Sequence, residues 1–369
     1  MNHYKIATLA GDGIGLEVTP LCIDLLKKVC AHVGGFSLEF IPFEAGAGCY
    51  LSTGTALPQE TLDGASSADA ILLGAMGLPD VRYDDGTEII PQIEIRIALD
   101  LYAGVRPVRP FPSLPLPLRN QHSRKIDFVL IRESTEGLFD SIGKGKVIAD
   151  REALDSMRIT RATSERLFDF AFSLAGKRKQ QGHAGIVTCV DKANVFTSMA
   201  FFRKIFNERA ENFPEISRDC LYVDAVAMKM VTEPWRFDVM VMENMFGDIL
   251  SDLGAGIMGG LGMAPSADIG DNQAVFQPCH GTAPDIAGMG LANPTAMYLS
   301  GAMMLQWLGD RHGDQSCREA GRLLTQAVDA CYEKPGLLPI ELGGDANTAA
   351  VSDAVLASLE RIESARPGE

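Results

Sequence analysis

Short apolar runs recur along the chain, separated by helical or glycine-rich stretches. Lys5-Ile6-Ala7-Thr8-Leu9-Ala10 predicts a strand, Gly11-Asp12-Gly13-Ile14-Gly15 a turn, and Glu17 to about Val33 a helix. Ser37 to Ile41 and Ala70 to Leu73 read as further strands with helical or loop sequence between them, the alternation of an α/β domain. A helix is expected from Pro91 to Leu101. Arg106 to Pro117 follows, with five prolines in residues 107–117. Proline removes a backbone donor and fixes φ, so this stretch predicts an extended crossing between domains rather than a helix or a central strand.

After that crossing four apolar runs each end in charged or amide side chains. Asp127 to Ile131 ends in Arg132-Glu133, Gly185 to Val190 in Asp191-Lys192, Leu221 to Val223 in Asp224, and Asp238 to Met242 in Glu243-Asn244. Open α/β sheets bind ligands at the carboxyl ends of their strands, which makes Arg132, Lys192, Asp224 and Asn244 candidate co-lining residues of one cleft. Strands also end in polar residues simply because they reach solvent. The last run continues into a helix with Asp248 and Asp252 one turn apart, a repulsive placement that a cation between them would relieve. Carboxylates of this kind suit Mg²⁺ or Mn²⁺ rather than zinc or copper. The competing reading is a solvated face opposite an apolar stripe of Phe246, Ile249, Leu250, Leu253 and Ile257.

Composition narrows the class. A chain of 369 residues, 46% apolar and 22% charged, has enough core for about two domains. The net charge of −15 argues against nucleic acid or an anionic membrane as partner. Eight cysteines without C-x-x-C spacing suggest buried thiols in a reducing compartment. The first residues lead directly into a strand, with no leader-like apolar segment before it, and no stretch has the roughly 18 apolar residues of a membrane span. A cytoplasmic location is the expectation.

The glycine turn invites a dinucleotide-binding reading, but G-x-G-x-x-G needs glycine at position 16, which is Leu16. The Rossmann fingerprint fails, leaving a turn that either approaches a ligand closely or closes a tight connection. Pro278 to Gly288 follows neither the helical nor the strand period and reads as an ordered loop, in which Asp285 could accept ribose hydroxyls and repel a 2′-phosphate. Arg96, Arg106 and Arg132 supply forked cations that match carboxylates. With the aspartates they suit a small polycarboxylate held by guanidinium forks and a divalent metal acting as Lewis acid.

Seven segments together resemble the β-decarboxylating dehydrogenases, which comprise isopropylmalate, isocitrate, homoisocitrate and tartrate/D-malate dehydrogenases. They are Gly11 to Gly15, Leu101 to Pro107, Arg132 to Gly137, Val190 to Val195, Tyr222 to Ala225, Asn244 to Asp252 and His280 to Gly288, in order between residues of about 5 and 355. The resemblance implies the family's non-Rossmann α/β fold, with two domains and a cleft between them. Residues 1–106 and 258–369 would form the larger, cofactor-binding domain and 107–257 the smaller one, with the dimerisation, metal and substrate residues. It also implies a homodimer with shared active sites. Arg96, Arg106 and Arg132 would bind the malate-like carboxylates; Asp248 and Asp252, with Asp224 from the partner subunit, would hold Mg²⁺ or Mn²⁺. Lys192 of the partner would serve the oxidation of the 2-hydroxyl alongside Asp224. Ile14, Asn194, Asn293 and the loop residues His280, Gly281, Thr282, Ala283 and Asp285 would line the cofactor site. The family's NADP members carry a lysine-tyrosine pair where this chain has Asp285-Ile286, which favours NAD.

The chain departs from the family pattern in two places. The family's catalytic tyrosine, seven residues after the third arginine, falls on Phe139. A phenyl ring cannot protonate the enol left by decarboxylation. The stretch Asp84 to Arg96 lacks the paired leucines of isopropylmalate enzymes and the serine and asparagine of bacterial isocitrate enzymes. Gln92 there suggests a polar substituent on the substrate. The expected activity is therefore NAD- and metal-dependent oxidation, with decarboxylation, of a substituted D-malate-type 2-hydroxy acid. A dehydrogenase that stops at the oxo acid and a non-catalytic regulatory subunit are the alternatives, the complete set of metal and arginine residues weighing against the latter.

Overall fold

The computed structural model describes residues 1–364. In chain order its strands are β1 (Asn2–Gly11), β2 (Phe36–Pro42), β3 (Ala70–Ala75), β4 (Ala103–Val108), β5 (Phe128–Glu133), β6 (Lys146–Ile148), β7 (Glu152–Leu154), β8 (Ile186–Asp191), β9 (Ser217–Tyr222), β10 (Val239–Met242), β11 (Pro265–Ile269) and β12 (Ala274–Pro278). Ten of them make one sheet, in the order β2-β1-β3-β12-β11-β4-β5-β10-β8-β9, and β6 and β7 form a separate exposed hairpin. The two wings of the large sheet are parallel, while β12-β11-β4-β5 at its centre is antiparallel. The fold is thus mixed α/β and not doubly wound. Strands such as β3 and β10 are buried throughout, as continuous apolar runs covered on both faces should be.

Side chains set several helix starts. Thr160 accepts from Thr163 N ahead of Arg161–Gln180, Glu243 from Phe246 N ahead of Asn244–Met258, and Asp314 from Cys317 N ahead of Gln315–Tyr332. Pro91 opens Pro91–Ala98, where its missing N–H costs nothing. At the glycine turn the Asp12 carboxylate is buried and accepts from the backbone N–H of Ala47, Gly48 and Gly77 at 2.8 Å each, tying three segments together.

Three expectations need correction. The proline-rich crossing begins later than its composition suggests, because Arg106 and Pro107 lie in β4, in the centre of the sheet. The ladder with β11 reaches only Val105, so Pro107 stands beyond its end and its missing donor interrupts nothing on that flank. Val223 and Asp224 do not end a strand: β9 stops at Tyr222, and Asp224 sits in the first turn of helix Val223–Thr232. Ile249 is not part of the buried stripe of Asn244–Met258, since it is 61% exposed while Phe246, Leu250 and Ile257 are buried.

Candidate active site and comparison with known proteins

The antiparallel centre of the sheet aligns three side chains. Asp268 on β11 pairs in register with Gly104 on β4, which pairs with Arg132 on β5. Gly104 leaves this row open: a Cβ there would lie 3.1 Å from Asp268 Oδ1 and 2.7 Å from Ser134 Oγ. Arg106, two residues along β4, falls on the same face. Helix Asn244–Met258 leaves β10 beside β5, and Gly247 lets it lie against the Arg132 stem, since a Cβ there would be 2.6 Å from Arg132 Cβ and Cγ. Arg96 enters from helix Pro91–Ala98.

These elements enclose a cavity of about 270 Å³ whose lining includes Gln92, Arg96, Arg106, Arg132, Asp248 and Asp252, with Phe139 in its wall. Every arginine is tethered. Arg132 donates from Nε and Nη2 to Asn244 Oδ1 at 3.0 and 2.8 Å, and Nη1 forms a short ion pair with Asp248. Arg106 Nη1 donates to Ala267 O at 2.9 Å, and its Nη2 to Asp268 Oδ1 at 3.0 Å. Arg96 spends only Nε, on Asp268 Oδ2 at 3.0 Å, leaving its terminal amino groups to a ligand. Burial and the neighbouring Arg96 charge bring Arg132 down to about 10, which still leaves it a cation at neutral pH. Burial, joined by Asp248, raises Asp252, whose carboxylate makes no hydrogen bond among the described residues. A cation beside both carboxylates would relieve that strain. The described residues nonetheless hold no cluster of three or more His, Cys, Asp or Glu side chains fit for one metal ion.

A second, more apolar cavity of about 480 Å³ adjoins the first, its lining including Ile14, Gly262, Ala283, Asn293 and Glu341. His280 and Gly281 line both cavities. Within the first, Gln92 Oε1 and His280 Nε2 are buried without a hydrogen-bond partner, which leaves polar capacity for a ligand. His280 is held neutral because burial lowers its pKa.

Apart from Asn293, the other sequence-derived candidates line neither of these two cavities. Thr282 is a buried pin: its Oγ1 donates to Gly77 O at 2.6 Å and its carbonyl accepts from Ile14 N at 2.9 Å. Asp285 is exposed, between Ala283 and Ile286 of the second cavity. Asn293 donates to Glu341 Oε1 at 2.6 Å. Asn194 is exposed and lines neither cavity. Lys192 and Asp224 do not share a cleft with Arg132 in one chain, contrary to the strand-end argument; they bond to each other, Nζ to Oδ1 at 2.6 Å, and that contact holds the Asp224 pKa low. Asn244 serves Arg132 from behind. Sequence reasoning missed Asp268, Gln277 and Glu341. For Asp268 the available signal was a lone carboxylate within the apolar run Met263 to Ile269.

A mixed-sheet α/β protein that sets three arginines and two aspartates beside an apolar second cavity has the features of an oxidoreductase acting on a small acid. Residues 5–355 match the isocitrate/isopropylmalate dehydrogenase family, and the chain belongs to it. It is 42% identical over 357 residues to the 3-isopropylmalate/3-methylmalate dehydrogenase of Methanocaldococcus jannaschii, covering 95% of this chain and 98% of that one. It is 40% identical to the isocitrate/homoisocitrate dehydrogenase of Thermus thermophilus, covering 97% and 99%. Among solved structures, the isocitrate dehydrogenase of Methylococcus capsulatus superposes with a TM-score of 0.81 at 35% identity, covering 96% of this chain and 99% of that one. The chain is thus an enzyme of the β-decarboxylating dehydrogenases, which generally use NAD(P) and Mg²⁺ or Mn²⁺. Relatives of similar identity differ in their named substrates, so identity alone does not choose one. No described helix is long and apolar enough to cross a membrane.

Proposed function

We propose that the chain catalyses NAD- and Mg²⁺- or Mn²⁺-dependent oxidation, followed by decarboxylation, of a substituted D-malate-type 2-hydroxy dicarboxylate. The observation that carries this reading is the joining of Arg96, Arg106, Arg132, Asp248 and Asp252 around one cavity that shares His280 and Gly281 with a second. The terminal amino groups of Arg96 and the unused donors of Arg106 and Arg132 bind the two carboxylates. Asp248 and Asp252, with Asp224 from a second copy, hold the metal, which when bound polarises the hydroxyl and stabilises the developing negative charge. Lys192 of that copy stands on the side of the hydroxyl proton. The second cavity would take the nicotinamide cofactor, held by Ile14, Asn194, His280, Gly281, Thr282, Ala283, Asp285 and Asn293, and NAD there would supply the hydride acceptor. Asp285 disfavours a 2′-phosphate there, by roughly 100-fold or more. Gln92, with its unpartnered Oε1, faces the C3 substituent and favours one that donates a hydrogen bond.

The exposed Lys192–Asp224 pair supports a homodimer with shared sites. So do Met228 and Val231, 58% and 51% exposed on Val223–Thr232, with Ile249 on the adjoining helix. Residues 1–106 with 258–369, and 107–257, are the proposed domains; the wing β2-β1-β3-β12 comes from the first and β5-β10-β8-β9 from the second. A reducing compartment such as the cytoplasm suits eight unpaired cysteines.

Phe139 favours a second reading, in which turnover ends at the 2-oxo acid. Its ring lines the cavity, 5.1 Å from the Arg132 guanidinium carbon, where it offers no proton. A panel of 2-hydroxy dicarboxylates with Mn²⁺ and either NAD or NADP tests the proposal. NADH should form with at least one acid, and faster than NADPH. No reduction of either cofactor with any acid would sink it.

A further inference from the structure

The cleft wall contains a carboxylate that the chemistry above does not use. Asp268 is wholly buried, and its two oxygens accept from Arg96 Nε and Arg106 Nη2 at 3.0 Å and from Gln277 Nε2 at 2.8 Å. Burial by itself raises its pKa, yet the charges of Arg106 and Arg96 outweigh it and bring the group down to about 2. A site built to bind carboxylates therefore buries a competing one against two of its three cations.

The consequence lies in the charge balance. Three guanidinium groups meet Asp248, Asp252 and Asp268, which leaves the cavity neutral by its own residues. A divalent cation adds two positive charges, and an entering Lys192–Asp224 pair adds none. In the metal-loaded protein without cofactor, two carboxylates on a ligand are thereby matched and a third is not. The remaining lining, including Gln92, Ile93, Phe139 and Ser251, offers a third carboxylate no cation. In a low-dielectric wall an unmatched charge is costly at distances of several ångströms.

We infer that Asp268 is a specificity-determining residue that matches the cleft to a dianionic 2-hydroxy acid with an uncharged C3 substituent and disfavours tricarboxylates. The inference rests on the reading of this cleft as the substrate site. It acts through Arg96 and Arg106, which it also orients, so the test separates charge from positioning.

Mn²⁺-loaded wild type, Asp268→Asn and Asp268→Glu are titrated calorimetrically with 2-methylsuccinate and with propane-1,2,3-tricarboxylate, non-oxidisable probes with two and three carboxylates. Wild type is expected to bind the dicarboxylate about tenfold or more tighter. Asp268→Asn keeps an acceptor for the arginines but removes the charge, and should narrow that ratio by about tenfold, while Asp268→Glu preserves it. Gln92→Arg, which adds a cation from a helix without disturbing the strand, should favour the tricarboxylate in the same sense. Equal or tighter binding of the tricarboxylate by wild type overturns the inference. So does an unchanged ratio in Asp268→Asn when Gln92→Arg shows that the ratio responds to charge, or an unchanged ratio in both, because loss of positioning alone weakens both probes together. A failure of the proposed function appears separately, as no cofactor reduction by the acids of the panel, and leaves these ratios to decide the charge question.

Discussion

Phe139 lines the cavity with a ring that offers no proton, and on the proposed reading the decarboxylation step calls for a donor there. Losing a general acid costs about 10²- to 10⁴-fold in the step it serves. With an accepted substrate, Phe139→Tyr should raise CO₂ release relative to NADH formation; equal yields in wild type, with no gain in the variant, would remove the residue from that step. If Asp252 ligates the proposed metal, Asp252→Asn should lower kcat/KM by several kcal/mol of transition-state stabilisation, roughly 3 by analogy with other Lewis-acid sites. Full turnover in excess EDTA would contradict this. Glu133 carries a pH signature. Burial outweighs its hydrogen bonds from Thr135 and Glu136 and raises it from 4.5 to about 7. Between those values the folded chain retains a proton that the unfolded chain releases, so stability falls as pH rises, by up to about 1.4 kcal/mol per pH unit from this group. Glu133→Gln should flatten that slope in urea midpoints measured from pH 5 to 8; an unchanged slope would mean that Glu133 titrates normally.

At the scale of elements, helix Asn244–Met258 works by close approach. It presents Asp248 and Asp252 to the cavity while Gly247 packs on the stem of Arg132. Gly247→Ala adds a methyl against buried stem atoms and should cost about 1–3 kcal/mol of stability, the usual price of overpacking. It should also raise KM by displacing Arg132, with less effect on kcat. An unchanged KM would show that the helix yields without moving the arginine. The helix itself was legible from Phe246, Leu250 and Ile257, but Ile249 was not. Apolar character alone does not say which side of a helix is covered, and Ile249 lies on the outer face. The same limit governed β4, where composition argued against a strand and only the end of the β11 ladder explains why Pro107 is tolerated.

For the whole molecule, the separation of Lys192 and Asp224 from the arginine cavity has a specific consequence if sites are shared. Lys192→Ala and Arg132→Ala should each be nearly inactive as pure proteins. Refolded together, mixed dimers contain one site with both wild-type residues, so up to roughly a quarter of wild-type activity should return. No recovery, with mixed dimers demonstrated by size and tag capture, would place each site within a single chain.

The sequence alone determined the features that are local or carried by spacing. The alternating elements, the failure of the Rossmann pattern at Leu16, the aspartates one turn apart and the seven motifs leading to the family are all of this kind. It also isolated Phe139 as a departure, since a motif fixes which position to inspect. Tertiary structure decided what depends on residues distant in the chain. Asp268 meets Arg96 and Arg106 across more than 160 positions, through strand register that no local pattern encodes. The three arginines proved to be tethered and partly neutralised rather than free, and Lys192 and Asp224 proved to pair outside the cleft. Hydrogen-bond partners and charge balance are properties of that packing, because they follow from which strands lie side by side.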